Sequence, residues 1–263
     1  MEMVGIVGGT GLGSLIEGEE REHATPYGPV RVTLGRFGGR PVAFLARHGA
    51  AHTVTPHRIP ARANLWAFAD LGVRAIVSTA AVGSLRAEHA PESWAIPDQL
   101  LDRTYGRADT FYDGDLVRHL PFADPFCPVL RRTAISAVPD AAARACVAVI
   151  QGPRFSTRAE ADVLRGAGAD LVNMTLCPEV ALAAELGMGT VTLCLVTDTD
   201  TGRDEGDPDA VTADLVFRRL ADARPRMAAA LERIVSAVPA GYAPRPLIDD
   251  EAIAHVLARP VMR

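Results

Sequence analysis

Asp198 and Asp200 stand two residues apart at the end of the apolar run 191–197, so strand alternation sends both carboxylates to one side. Desolvation or mutual repulsion in a shared pocket would raise a pKa there, and a carboxyl kept protonated can donate to a ring nitrogen of a purine. The competing reading is an acidic turn, since Gly202-Arg203-Asp204-Glu205 looks like an exposed loop. Arg47-His48-Gly49 closes a second apolar run, followed by His52 and His57. An arginine at a strand's C-terminal end faces the crevice where open α/β sheets bind ligands, and its fork suits an oxyanion. Near the start, Gly8-Gly9-Thr10-Gly11-Leu12-Gly13 offers amides and a hydroxyl to an anion, or else is a plain strand-to-helix turn. A third stretch, 151–160, turns at Gly152-Pro153 and presents Phe155 and Ser156 at a helix start. It suits stacking a flat heterocycle and bonding its edge, or it is a buried phenylalanine with a Thr157/Glu160 capping box.

Several chemistries are disfavoured. All 27 positive charges are arginine, which removes P-loops, Schiff bases and Ser-Lys pairs. Cys127, Cys146, Cys177 and Cys194 form no C-x-x-C pair and are expected as buried thiols. His48, His52 and His57 sit in no H-E-x-x-H helix, so no metal is expected, and there is no G-x-S-x-G elbow. Reading G-x-G-x-x-G from Gly9 meets Ser14 where glycine is needed, so a dinucleotide is not indicated. Hydrophobic residues at 48% and a net charge of -5 allow a sizeable core and argue against disorder and a basic nucleic-acid surface, and the lack of an 18-residue apolar window argues against a membrane partner. With no signal segment or long apolar span, a cytoplasmic protein is expected.

The elements that must position these residues alternate. Strands are expected at 4–7, 41–46, 75–80, 146–151, 171–173 and 191–197, with helices at 59–71, 158–166, 178–186 and 211–235. A hairpin at 35–40 makes the sheet mixed. The rhythm implies a three-layer α/β/α fold around a mixed, mostly parallel twisted sheet, in one domain spanning 1–263. A proline-rich break at 238–246 opens a short tail, from about 239, with a last helix near 249–258. That tail must dock on its own subunit or on another.

Taken together and in order, GIVGGTGL, FLARHGAAHT, TAAVGSLR, DQLLDRTYGRADTFYDG, HLPFADPFCP, QGPRFSTRAEA, LVNMTLCPEVALAAELGMG and VTDTDTG resemble the trimeric purine nucleoside phosphorylase family, and within it the 5′-methylthioadenosine phosphorylases. The match spans about residues 4 to 202, with a looser continuation to 235. The resemblance implies phosphorolysis of a 5′-modified adenosine to adenine and a pentose 1-phosphate, with inorganic phosphate as co-substrate and no other cofactor. It implies a phosphate site of Thr10, Arg47, His48, the backbone at Ala80 and Ala81, and Thr175. Phe155, Ser156, Asp198 and Asp200 would hold the base, with Asp198 as the acid, and Met174 would lie under the ribose. His52, Ala213, Val216 and Phe217 would form the 5′ pocket with His119 of a neighbouring subunit, in a homotrimer or a hexamer.

The chain departs from the family pattern in three places. Ala80 replaces a hydroxyl residue, Pro60-Ala61 replaces Asn-Tyr, and the pair Ala213 and Phe217 replaces Val and Leu, reshaping the 5′ pocket. A nucleosidase, a non-catalytic nucleoside binder and a 6-oxopurine enzyme are the alternatives. Arg47, His48 and Thr175 speak against the first and Asp198 against the second. The third would place an Asn near Asp198, where none stands.

Overall fold

The computed structural model describes residues 2–261. In chain order its strands are β1 (Val4–Gly8), β2 (Gly18–His23), β3 (Val30–Phe37), β4 (Arg40–Ala46), β5 (Ala75–Ser84), β6 (Trp94–Ala95), β7 (Gln99–Arg103), β8 (Cys146–Ile150), β9 (Leu171–Asn173) and β10 (Gly189–Asp198). The helices are α1 (Ala61–Asp70), α2 (Pro128–Ala137), α3 (Arg158–Gly166), α4 (Leu176–Glu185), α5 (Ala213–Ala237) and α6 (Asp250–Leu257).

The core pairings β4–β1–β5–β10 are parallel, and antiparallel β2 and β3 extend the β4 side. Side chains on these strands alternate between two helical layers. Val42 and Phe44 join Leu130 of α2 and Leu220, Leu231 and Ile234 of α5. Ala43 and Leu45 join Leu65 and Phe68 of α1, Leu182 of α4 and Ile253 of α6. This is the expected three-layer arrangement. The expected hairpin is present as the β3–β4 turn, where Gly38 and Gly39 both take positive φ, as a two-residue turn between twisted strands requires.

One irregularity of the sheet makes the site. On one edge of β5, Val4–Val7 of β1 pair with Ala75–Ser78, and β9 pairs antiparallel only with Gly83 and Ser84. Thr79, Ala80, Ala81 and Val82 therefore have no strand on that edge, while β10 runs beside them on the other. The gap opens at the C-terminal ends of β1, β4 and β10.

Several elements lie outside the sequence expectation. β2 is a charged, exposed edge strand, GEEREH, with no apolar alternation to betray it. α2 buries only Leu130 and Ala134 and begins at Pro128. β3, β6 and β7 also fall outside it, and β5 runs on past residue 80 to Ser84. The loop after β1 is not a strand-to-helix turn: a tight turn closed by Leu12 N–H on the Gly9 carbonyl leads on toward β2. The tail docks on its own chain. Trp66 Nε1 donates to the Val256 carbonyl, Arg118 pairs with Asp249, and Tyr242 donates to Cys127 Sγ.

Candidate functional site

A cavity of about 350 Å³ fills the gap, and its wall brings together Thr10, Arg47, His48, His52, Ala80, Ala81, Phe155, Met174, Thr175, Asp198, Asp200, Ala213, Val216 and Phe217. Fourteen of the residues expected in the site thus converge from seven separate segments.

At one end of the cavity, Arg47 is buried, and its guanidinium is already engaged. Nε and Nη2 donate to Glu179 at 2.6 and 2.7 Å, and Nη1 donates to the Thr79 carbonyl at 2.8 Å. The bidentate grip expected for an oxyanion is therefore directed at Glu179 instead. Hydrogens on both Nη atoms remain, since a guanidinium carries five N–H donors. Thr79, on the unpaired stretch of β5, also accepts from Gly9 N through its hydroxyl at 2.9 Å. A Cβ on Gly9 would lie 2.7 Å from the Thr79 carbonyl oxygen, so only glycine lets the two segments approach this closely.

His48 donates through Nδ1 to the Val54 carbonyl at 2.8 Å, which leaves Nε2 as an acceptor in the neutral ring. Burial, with Arg47 and His52 adding smaller effects, lowers its pKa to about 4 against the one hydrogen bond that raises it. Ala80 is buried and Ala81 half-buried on the free edge of β5. Asn173 ties this edge to the far side of the gap. Its Nδ2 donates to the Ala81 carbonyl at 3.0 Å, and its Oδ1 accepts from Thr175 N and Leu176 N at 2.7 and 2.9 Å. Thr175 is thereby fixed at the start of α4.

Elsewhere on the wall, Asp198 is buried, with Oδ2 accepting from the Thr197 hydroxyl at 2.7 Å and Oδ1 from Asp200 N at 2.9 Å. Burial raises its pKa to about 6 despite those bonds, and Asp200 adds a smaller upward push. Asp200 is likewise raised to about 6, first by burial, with Thr201 and Ser156 opposing. Both carboxyls are thus raised, by desolvation more than by repulsion. They also share the pocket for a different reason than alternation: the β5–β10 register shifts between Val196 and Asp198, the strand stops, and Asp200 takes a left-handed φ of 50°. Asp200 Oδ2 and Ser156 Oγ lie buried in the same neighbourhood, and neither makes a well-formed hydrogen bond.

Phe155 is not the buried phenylalanine of the competing reading. It is 38% exposed and faces the cavity, although the Thr157/Glu160 capping box behind it is present too. The edge of the cavity nearest α5 is apolar. The Thr212 hydroxyl accepts from Leu215 N, caps α5 and sets Ala213, Val216 and Phe217 on the wall. His52 meets the Phe217 ring edge-on at 5.4 Å and lies 4.5 Å from His48. His119 is exposed and lines no part of its own chain's cavity. Ser156 sits just behind the wall.

His57 lines a different cavity of about 520 Å³, apart from His48 and His52. Among the described residues no three His, Cys, Asp or Glu side chains converge as a metal site would require, and no helix is long and apolar enough to cross a membrane.

Three residues of consequence were not singled out from the sequence. Glu179 neutralises Arg47, and its signal is an acid following Pro178 in the first turn of a helix that begins beside the site. Asn173 lies in the NMT stretch without being named. Gly83 lacks a side chain because a Cβ there would sit 2.7 Å from Asp198 Oδ1.

The arrangement has counterparts among known proteins. The model of the phosphorylase superfamily matches residues 3–236. The chain belongs to that superfamily. An S-methyl-5′-thioadenosine phosphorylase of Mycolicibacterium smegmatis is 47% identical over 208 residues, covering 78% of this chain and 80% of the relative. A probable 6-oxopurine nucleoside phosphorylase of Thermococcus kodakarensis is 43% identical over 216 residues, covering 77% and 81%. Among solved structures, a mutant of the Schistosoma mansoni adenosine/methylthioadenosine phosphorylase, in complex with methylthioadenosine, superposes with a TM-score of 0.83 at 30% identity, covering 98% of this chain and 96% of that one.

Proposed function

We propose that this chain is a pentosyltransferase that cleaves 5′-methylthioadenosine, or a related 5′-modified adenosine, with inorganic phosphate, giving adenine and a pentose 1-phosphate. The observation that carries this reading is the pair of buried carboxyls, both raised to about 6, on a cavity wall opposite an arginine-containing end. A purine leaves more readily once its N7 is protonated, and Asp198 in its neutral form supplies that proton as a general acid. Asp200 accepts from the 6-amino group through its unsatisfied oxygen. Phe155 stacks on the ring and Met174 packs under the ribose.

Phosphate enters between Thr10, Arg47, His48, Thr175 and the Ala80–Ala81 backbone on the free edge of β5. Because Glu179 offsets the Arg47 charge, the site's power lies in aimed donors more than in net charge; they align the nucleophile beneath the anomeric carbon and stabilise it beside the developing positive charge. His48 Nε2 accepts a hydrogen bond from a phosphate hydroxyl. Neither a metal nor an organic cofactor enters this reaction. The apolar wall of Ala213, Val216 and Phe217 receives the methylthio group, whose burial favours binding by about 1–3 kcal/mol, while a bare 5′-hydroxyl finds no polar group on that wall and only the His52 ring beside it. Completion of that pocket by the exposed His119 of a neighbouring copy makes the working form a homotrimer, or a hexamer built from two. The setting is purine salvage in the cytoplasm.

A 6-oxopurine specificity is the second reading, favoured by the Thermococcus relative's identity and opposed by the lack of an Asn beside Asp198. Purine release from methylthioadenosine, adenosine and inosine, with and without phosphate, separates them. Methylthioadenosine should exceed adenosine in kcat/KM by about 10-fold or more, with no release in phosphate-free buffer. Inosine as the best substrate would make this a 6-oxopurine enzyme, and undiminished release without phosphate would make it a nucleosidase.

A further inference from the structure

The stretch DQLLDRTYGRADTFYDG contributes no residue to the cavity, yet it contains a side chain that holds two walls of the cavity together. From the loop after β7, the Arg107 guanidinium makes five hydrogen bonds. Nε donates to Gln151 Oε1 at 3.1 Å, Nη1 to the carbonyls of Met174 and Cys177 at 3.0 and 2.6 Å, and Nη2 to the carbonyls of Ile150 and Gln151 at 3.4 and 2.7 Å. None of these bonds goes to a carboxylate. Four of the acceptors are main-chain carbonyls, two at the end of β8 (Ile150 and Gln151 just after it) and two around the start of α4 (Met174 just before it and Cys177, whose backbone angles are not helical). Gln151 Oε1 is held a second time, by Tyr105 N at 3.1 Å.

The two segments joined in this way carry opposite parts of the site. One runs from Ile150 through Gln151 to Phe155, the ring that stacks the base; the other is Met174–Thr175, under the ribose and at the anion end. We infer that Arg107 is a positioning residue for the reaction, a planar clamp that fixes the spacing between the base-stacking arm and the ribose–phosphate arm without touching either substrate. This rests on the functional reading above. The geometry requires a guanidinium: a lysine ammonium is a point charge with three donors and cannot span carbonyls on both arms in one plane.

The test compares full-length parent with Arg107→Ala and Arg107→Lys, measuring adenine affinity by calorimetry and phosphorolysis of methylthioadenosine. Both variants should bind adenine about 10-fold more weakly and lose about 10²-fold in kcat, the scale of a misplaced reacting group. Millimolar guanidinium chloride should recover activity in Arg107→Ala, and methylammonium should not. Parent-like adenine affinity and kcat in Arg107→Ala, or full function in Arg107→Lys, would overturn the clamp. Should Arg107→Ala fail to fold, Gln151→Met removes one clamped acceptor; it should weaken adenine binding several-fold and leave the phosphate KM unchanged, and unaltered adenine affinity there would overturn the inference. A parent that binds no adenine would overturn the functional reading and the clamp with it, whereas a parent and variants that bind it equally would overturn the clamp alone.

Discussion

At the Arg47 end of the cavity the strongest charges answer one another, a guanidinium and a carboxylate paired through two short bonds. At the Asp198 end, two carboxyls are buried without a cation hydrogen-bonded to either, and polar atoms of Asp200 and Ser156 lack well-formed hydrogen bonds. The first end has its charge balanced within the chain, with one hydrogen left on each Nη of Arg47. The second holds unmet hydrogen-bonding capacity and carboxyls shifted toward their protonated form, which is what the proposed proton transfer needs and what a structural ion pair does not supply.

The largest expected effect of breaking that contrast is on stability. Arg47→Met leaves Glu179 buried and unpaired, and removing one partner of a buried pair costs about 3–5 kcal/mol. Arg47→Met with Glu179→Leu should recover most of that loss in urea unfolding while phosphorolysis stays abolished. A double variant as unstable as the single one would show that the pair is not what holds this end.

The two ends should also respond to pH in opposite directions. Asp198 and Asp200, raised from 3.8 to about 6, retain protons in the folded chain that the unfolded chain has already released, so their contribution, full at acid pH, is lost as pH rises toward 6. His48, lowered from 6.5 to about 4, is neutral when folded and protonated when unfolded across that interval, so its contribution is lost as pH falls from 6.5 toward 4. Asp198→Asn should therefore flatten the decline of stability with rising pH between about 4 and 6, and His48→Asn should steepen it. Identical pH slopes in parent and both variants would remove the contrast.

A smaller effect sharpens the base end alone. Gly83→Ala places a Cβ 2.7 Å from Asp198 Oδ1 at ordinary backbone angles and should displace the acid. A loss of about 10-fold in kcat is expected with melting nearly unchanged, and unchanged turnover would mean that the carboxyl tolerates the shift.

How much of this was legible beforehand follows from where the signals reside. Buried strands such as β1, β4 and β10 announce themselves as apolar runs, and the residues at their ends, Arg47 and Asp198, could be placed at the crevice from that alone. The exposed β2 buries nothing and so leaves no period to read. Pairings across the chain are likewise invisible: nothing near Arg47 reveals that residue 179 will occupy its fork, and nothing near Gly83 reveals that an aspartate will lie against it. Alternation leads to the correct outcome for Asp198 and Asp200 by the wrong route, since a register shift and a left-handed Asp200 bring them together. Motif resemblance reached the residues that would touch a ligand and passed over Asn173 and Arg107, which hold them in place.

The central claim is that the Asp198 end supplies a proton to the departing base. It is tested most directly by comparing Asp198→Asn with the parent on methylthioadenosine and on its N7-methylated analogue, whose base already carries the positive charge that protonation would create. The account predicts a loss of about 10²-fold or more in kcat on methylthioadenosine and a loss of only a few-fold on the methylated substrate. Equal losses on both substrates would contradict it and make Asp198 a binding group with no part in proton transfer.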